Sequence, residues 1–77
     1  MAEENLTPEQ EAELDRLFTY HKPTAEQLPK FDAVNEAAKN FARIVLLNTP
    51  RSADQSAAIR LIREARMTAN AAIALEK

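Results

Sequence analysis

Several residue types are missing from this 77-residue chain, and each absence excludes a class of site. There is no glycine, no cysteine and no tryptophan, and there is one histidine. Without cysteine no disulfide can form, and one histidine is too few for a zinc site, which takes about four ligands. Without glycine there is no glycine-rich phosphate loop. The one imidazole, His21, lies in a short connector poorly suited to hold a nucleophile–base pair. We expect no catalytic residues, no metal and no cofactor.

Long hydrophobic runs and a strong charge of one sign are also missing. No run of about 18 apolar residues is present, so no membrane span is predicted. The opening residues, MAEEN, lack the basic and apolar regions of a signal peptide. The formal net charge of −2 argues against a nonspecific DNA-binding protein. We therefore expect a cytoplasmic protein that binds neither membrane nor DNA.

The charges that are present divide the chain into two halves. Residues 1–38 carry three basic and nine acidic side chains, whereas residues 39–77 carry seven basic and three acidic ones. The first half therefore has a balance of −6 and the second of +4. The basic half could hold a phosphate, or it could pair with the acidic half of the same or a neighbouring chain.

The composition predicts an all-α fold in a single domain, 1–77. Fifteen residues are alanine, the best helix former, and β-branched residues are few. Capping patterns begin at Thr7, Thr24 and Ser52, each with glutamine three residues later. Pro29 would break a helix begun at Thr24, so we expect only a single turn there. The predicted helices are 8–18, 29–47 and 53–76.

The two long helices are predicted to pair as an antiparallel hairpin through one apolar stripe each. The stripes are Phe31, Val34, Ala38, Phe41 and Val45 in the second helix and Ala58, Ile62, Ala65, Ala69 and Ala72 in the third. Further apolar residues lie outside both stripes, more than a hairpin with one short helix can cover. We expect a homo-oligomer, and the alternative is a monomer whose N-terminal helix covers the surplus.

Binding chemistry is concentrated in the stretch FTYHKP, residues 18–23. Tyr20 can stack on a planar group, in a connector that also offers His21, Lys22 and Pro23. The alternative for Tyr20 is an aromatic plug between helices. Asn70 lies among alanines, where an unsatisfied amide would cost about 1–3 kcal/mol. The arginines of the third helix can bind phosphate, or they can form a solvated face or intersubunit ion pairs.

The FTYHKP stretch resembles the FTYH-x-P start of small bacteriophage hairpin proteins that sequester cyclic nucleotides, the anti-CBASS sponges and the related anti-Thoeris sponges. The likeness continues through Gln27, Phe31 and Val34 and resumes at Thr49-Pro50. It ends in REARMTANAAIALE, which is similar to the family's EA-x-M-x-AN-A-x-IA ending. It covers residues 18–76.

The resemblance implies a helical hairpin assembled as a hexamer in the cytoplasm of an infected bacterial host. Such a protein binds cyclic dinucleotides, and in some relatives cyclic trinucleotides at separate sites, without cleaving them, and so blocks CBASS immunity. It further implies that Tyr20 stacks on a ligand base. Family members commonly carry a cation where this chain has Asn35; Lys39 or Lys22 could compensate.

Symmetry extends this reading. Two copies of one chain would present paired groups to a cyclic dinucleotide, and Arg60 or Arg63 could meet at a three-fold axis around a cyclic trinucleotide. The chief alternative is a helical module that docks a host or phage protein. A more distant one is a nucleic-acid-binding accessory protein that uses the basic third helix.

Overall fold

A computed structural model describes residues 5–76 and contains three helices. Helix α1 is Pro8–Phe18, α2 is Leu28–Asn48 and α3 is Ala53–Ala74. The all-α class is confirmed, because residues 5–76 contain no strand. Residues 1–4 and residue 77 lie outside the described part. Residues 1–4 belong to the acidic opening from which a cytoplasmic location was expected. Helix α2 is one residue longer at each end than predicted.

Helix α1 begins where the capping residues predict. The Thr7 hydroxyl accepts a hydrogen bond from the backbone N–H of Gln10 at 3.1 Å, and the Gln10 side chain accepts one from the backbone N–H of Thr7 at 3.0 Å. Pro8 occupies the first helical position, where its missing N–H costs nothing. The helix exposes Leu14, Leu17 and Phe18.

The turn between α2 and α3 departs from the predicted capping box at Ser52. The Ser52 hydroxyl accepts from the backbone N–H of Gln55 at 3.1 Å, as expected. The Gln55 side chain does not close the box, because it donates to the carbonyl and hydroxyl oxygens of Thr49 at 3.0 and 3.1 Å. Gln55 thus joins the start of α3 to the end of α2.

Helix α3 ends at Ala74, two residues before the predicted end. The backbone N–H of Glu76 donates to the carbonyl of Ile73, only three residues earlier, so the last turn tightens. The Ile73 carbonyl also accepts from a side chain of the connector before α2. These bonds satisfy carbonyls that a longer helix would have used.

Helices α2 and α3 pack as a hairpin, but one of the predicted contact residues in α2 and two of those in α3 are corrected. Phe41 is 57% exposed and Ala42 is half-buried, so Ala42 replaces Phe41 between the helices. In α3 the predicted Ala65 and Ala72 are exposed, and the neighbouring Arg66 and Ile73 are half-buried. Alanines let helix backbones approach closely, which leaves no room for a phenyl ring between them.

The part of the chain that the structure describes encloses no apolar core. Among residues 5–76 the one buried residue is Gln27, and α1 contacts neither of the other helices. The molecule measures 54 × 39 × 13 Å, so it is a single layer of helices. Domains normally enclose a core between at least two layers. Residues 5–76 of the single chain supply only one such layer.

The surface area leads to the same result. The chain exposes 6581 Å², whereas a compact monomer of 8.6 kDa exposes about 4700 Å². The radius of gyration is 17.7 Å, against about 11.5 Å for a compact domain of 77 residues. The excess area of about 1900 Å² exceeds two standard interfaces of about 800 Å² per partner.

Candidate functional site

The connector between α1 and α2 presents Tyr20 to solvent. The Tyr20 side chain is 81% exposed, so it is not buried as a plug in this chain. His21 Nε2 donates a hydrogen bond to the carbonyl oxygen of Arg16 at 2.8 Å, which links the connector to the last turn of α1. That bond leaves Nδ1 as an acceptor when the ring is neutral. The phenol ring is therefore available to a partner. The bond from the neighbouring His21 to Arg16 restrains the connector backbone at its α1 end.

Gln27 anchors the other end of the connector to the hairpin. Its side-chain NH₂ donates to the Ile73 carbonyl at 2.9 Å, and its side-chain oxygen accepts from the backbone N–H of Thr24 at 3.0 Å. The Thr24 hydroxyl in turn accepts from the backbone N–H of Gln27 at 3.2 Å. Pro23 is half-buried beside this anchor. The sequence indicated the capping pair, but nothing local indicated the contact with Ile73, 46 residues away.

Three polar side chains of the two long helices meet at one side of the hairpin. Asn35 Oδ1 accepts hydrogen bonds from Asn70 Nδ2 at 3.2 Å and from an Arg66 guanidinium nitrogen at 3.4 Å. Asn35 and Asn70 were both predicted site residues, and the structure brings them into direct contact. Arg66 was predicted only as one of the third-helix arginines that bind phosphate or form a solvated face or an intersubunit ion pair, and its contact with Asn35 was not predicted. We call these three residues the Asn–Arg cluster.

Asn70 remains half satisfied in this cluster. Its Oδ1 atom is buried and has no hydrogen-bond partner among the described residues. A buried acceptor left without a donor costs about 1–3 kcal/mol. The sequence signal was the position of an amide among alanines, and the structure locates the unsatisfied atom.

The other predicted cations lie in three different elements of the chain. Lys22 is exposed in the connector, and Arg60 and Arg63 are exposed on α3. Lys39 is exposed on α2, where it borders a shallow depression of about 400 Å³ with Arg43 and two leucines. Lys39 and Arg43 thus form a basic patch beside the exposed side chains of Leu46 and Leu47.

Two ion pairs are present in residues 5–76. Lys30 Nζ lies 2.9 Å from Glu76 Oε1 and links the start of α2 to the end of α3. The hydrogen bond from Lys30 lowers the pKa of Glu76. Arg16 lies 2.8 Å from Glu13 within α1, and their hydrogen bond lowers the pKa of Glu13 and raises that of Arg16. Both pairs are solvent-exposed, so they orient elements more than they stabilise them.

An apolar groove of about 390 Å³ runs between α2 and α3. Phe41 and Leu61 border it and are 57% and 61% exposed. The remaining lining residues are Val34, Ala37, Ala38, Ile62, Ala65, Arg66 and Ala69. The exposed side chains of Phe41 and Leu61 leave apolar surface of this groove in contact with water in the single chain.

Residues 5–76 contain no group of three or more His, Asp or Glu side chains placed to hold a metal ion. None of the three helices is both long and apolar enough to cross a membrane.

Comparison with known proteins connects this geometry to a family. A family model described as Acb2/Tad1, hairpin domain, matches residues 10–74, which is most of the chain. Searches among curated proteins and among solved structures found no match. The match confirms the family resemblance in FTYHKP and REARMTANAAIALE. The family acts against bacterial defence by sequestration and is not a known enzyme family. The chain belongs to the Acb2/Tad1 hairpin-domain family of anti-defence sponges.

Proposed function

We propose that this protein binds cyclic oligonucleotide second messengers and holds them intact, so that the defence effector of an infected bacterium is not activated. The ligands are cyclic dinucleotides and, at a separate site, cyclic trinucleotides. The site of action is the cytoplasm of the host. The observation that carries the proposal is the family match over residues 10–74, which includes the exposed Tyr20.

Tyr20 is the proposed stacking platform for a ligand base. Stacking of a base on an aromatic ring contributes about 1–3 kcal/mol. An aromatic ring that is 81% exposed has most of its face free for such a contact. Nanomolar sequestration needs about −12 kcal/mol in total, so stacking alone is insufficient. Phosphate contacts and enclosure have to supply the remainder, with His21, Lys22 and Pro23 in the same connector.

Self-association is part of the proposal, and a hexamer is its proposed form. The single helical layer, the missing core and the excess surface all support additional copies. Two copies related by a two-fold axis would present two Tyr20 rings to the two bases of a cyclic dinucleotide. Lys39 and the Asn–Arg cluster would supply its polar contacts. Three copies would bring exposed Arg60 and Arg63 side chains around a cyclic trinucleotide.

Helix α1 is the proposed lid over the bound nucleotide. It has 11 residues, and isolated helices shorter than about 12–15 residues are marginal in water. It packs on no other helix in the described chain. Docking on a ligand or on a second copy would stabilise it, and the bond from His21 to the Arg16 carbonyl sets its direction from the connector.

A thermal-shift screen tests the proposal. The panel contains cyclic dinucleotides, cyclic trinucleotides and cyclic ADP-ribose isomers. We expect at least one of them to raise the melting temperature by several degrees, with calorimetry giving a nanomolar Kd. Tyr20→Ala should abolish the shift without changing the oligomer, and Tyr20→Phe should retain most of it because the ring is kept.

Two results would argue against this function. If no compound shifts the melting temperature and a host protein co-purifies, the chain is an interaction module instead. If Tyr20→Ala binds the ligand as tightly as the unaltered protein, the stacking role is wrong.

A further inference from the structure

We propose that the Asn–Arg cluster is a phosphate-recognition unit in which Arg66, held beside Asn35 and Asn70, binds a phosphate of the ligand. The inference rests on the proposed function and deepens it, because it assigns the positive charge of the site to one residue. The ligand group that it takes is a nucleotide phosphate.

Arg66 fixes the orientation of both amides in the cluster. A guanidinium group has only donors, so the atom of Asn35 that faces Arg66 is the oxygen. That oxygen also faces Asn70, so Asn70 has to turn its NH₂ group toward Asn35. The opposite orientation of Asn70 would set two oxygens against each other. Asn70 Oδ1 is therefore directed away from Asn35, and it is the buried acceptor without a partner.

The charge of Arg66 is not neutralised within the described part of the chain. Neither of the two ion pairs in residues 5–76 includes it. Only one of its contacts, the 3.4 Å bond to Asn35, uses a guanidinium donor. The planar fork has five N–H donors and can engage two phosphate oxygens at once. A charged donor also makes stronger hydrogen bonds than a neutral one.

The cluster holds these groups before any ligand arrives. Asn35 is on α2 and Arg66 and Asn70 are one turn apart on α3, so all three belong to rigid helices. Arg66 and Asn70 are half-buried, which restricts their side chains. Groups ordered in advance lose less entropy on binding. A preordered cation without an acidic partner on rigid helices matches a phosphate group.

The arrangement also accounts for an uncharged residue at position 35. A lysine or arginine there would place a second cation next to Arg66, at a site where the asparagine oxygen now accepts a hydrogen bond from the guanidinium. The cation of this site thus comes from α3 and not from α2. Lys39 and Lys22, the two compensating cations suggested by the sequence, are not part of the cluster.

Calorimetry on four proteins tests the inference, with whichever cyclic nucleotide gives the largest thermal shift. Arg66→Gln should weaken binding at least tenfold and reduce its dependence on salt concentration. Arg51→Gln, an exposed arginine in the turn before α3, is the matched control and should bind as the unaltered protein does. The double variant Asn35→Lys/Arg66→Gln restores a cation at the same place and should recover at least half of the lost binding free energy.

The outcomes separate the inference from the function on which it rests. If the unaltered protein binds and Arg66→Gln binds equally well, the inference is overturned and the sponge function stands. If the double variant folds and assembles normally but stays as weak as Arg66→Gln, the charge role is overturned. If the unaltered protein binds no cyclic nucleotide, both fail. Circular dichroism and molecular mass check folding; should Arg66→Gln not fold, Arg66→Lys, expected to bind with an intermediate Kd, replaces it.

Discussion

Replacing Phe41 by alanine should dissociate the proposed homo-oligomer without unfolding the hairpin. Phe41 borders the apolar groove and is 57% exposed in the single chain. An aromatic side chain buries about 150–250 Å², so the exposed part amounts to about 85–140 Å². At about 25 cal/mol per Å², covering that area by a second copy contributes about 2–3.5 kcal/mol.

The expected shift in association follows from that free energy. A loss of about 2–3.5 kcal/mol raises the subunit dissociation constant by about 30- to 300-fold. Sedimentation equilibrium over a range of protein concentrations measures this change directly. If Phe41 remained solvent-exposed in the functional protein, the same substitution would change the stability by only about 0.5 kcal/mol. The two cases are therefore well separated.

Glu36→Ala provides the control, because Glu36 is an exposed polar residue of the same helix that does not line the groove. It should assemble like the unaltered protein. The reasoning is refuted if Phe41→Ala and the unaltered protein show the same mass at every concentration. It is also refuted if the unaltered protein is monomeric at about 100 μM, where an interface of standard size would hold.

Two further predictions concern the ends of the hairpin. Gln27→Ala should lower the free energy of unfolding by about 1–3 kcal/mol, because it removes the buried amide that binds the Ile73 carbonyl. Chemical denaturation measures this change in stability. Gln10 is an exposed glutamine in a similar capping position, so the control Gln10→Ala should lower the stability less. The pKa of Glu76 is lowered by Lys30 in the folded state, so the stability from this pair is complete above the ordinary pKa of a glutamate and is lost as the pH falls through the lowered value. Melting temperatures measured from pH 7 to pH 3 should therefore fall more steeply for the unaltered protein than for Glu76→Gln, and parallel curves would contradict the linkage.

The helix starts were predictable because their determinants are local. Thr7 and Pro8 act within one turn of α1, and Ser52 does the same for α3. Each capping bond joins residues three positions apart, so both partners can be identified from a short stretch of the sequence. The side chain of Gln55 was the exception, because its partner Thr49 belongs to the preceding helix end.

It was harder to predict which residues of α2 and α3 face each other. A period of 3.6 residues leaves neighbours such as Phe41 and Ala42 almost equally placed on one face. Which of them enters the hairpin depends on how closely the backbones approach, and that distance is set by the alanines of both helices. The same ambiguity hid the place of Arg66 beside α2, since its neighbour Ala65 was the more plausible apolar contact. Its bond to Asn35 joins residues 31 positions apart.

The candidate site was predictable in its residue types and not in its grouping. Tyr20 and Asn70 were identifiable because each is unusual for its surroundings. The contact between Asn70 and Asn35, and the unsatisfied oxygen that results, depend on the register of the two helices. No local pattern encodes that register. The Asn–Arg cluster therefore required the structure.

Recovery of the ligand after binding tests the central claim most directly. The protein is mixed with a slight molar deficit of the cyclic nucleotide that gives the largest thermal shift, filtered to measure free ligand, then heat-denatured, and the released nucleotide is quantified by chromatography. We predict almost no free ligand before heating and complete recovery of the unchanged cyclic compound afterwards. Free ligand before heating, or a linear or shortened product after it, would contradict sequestration without cleavage.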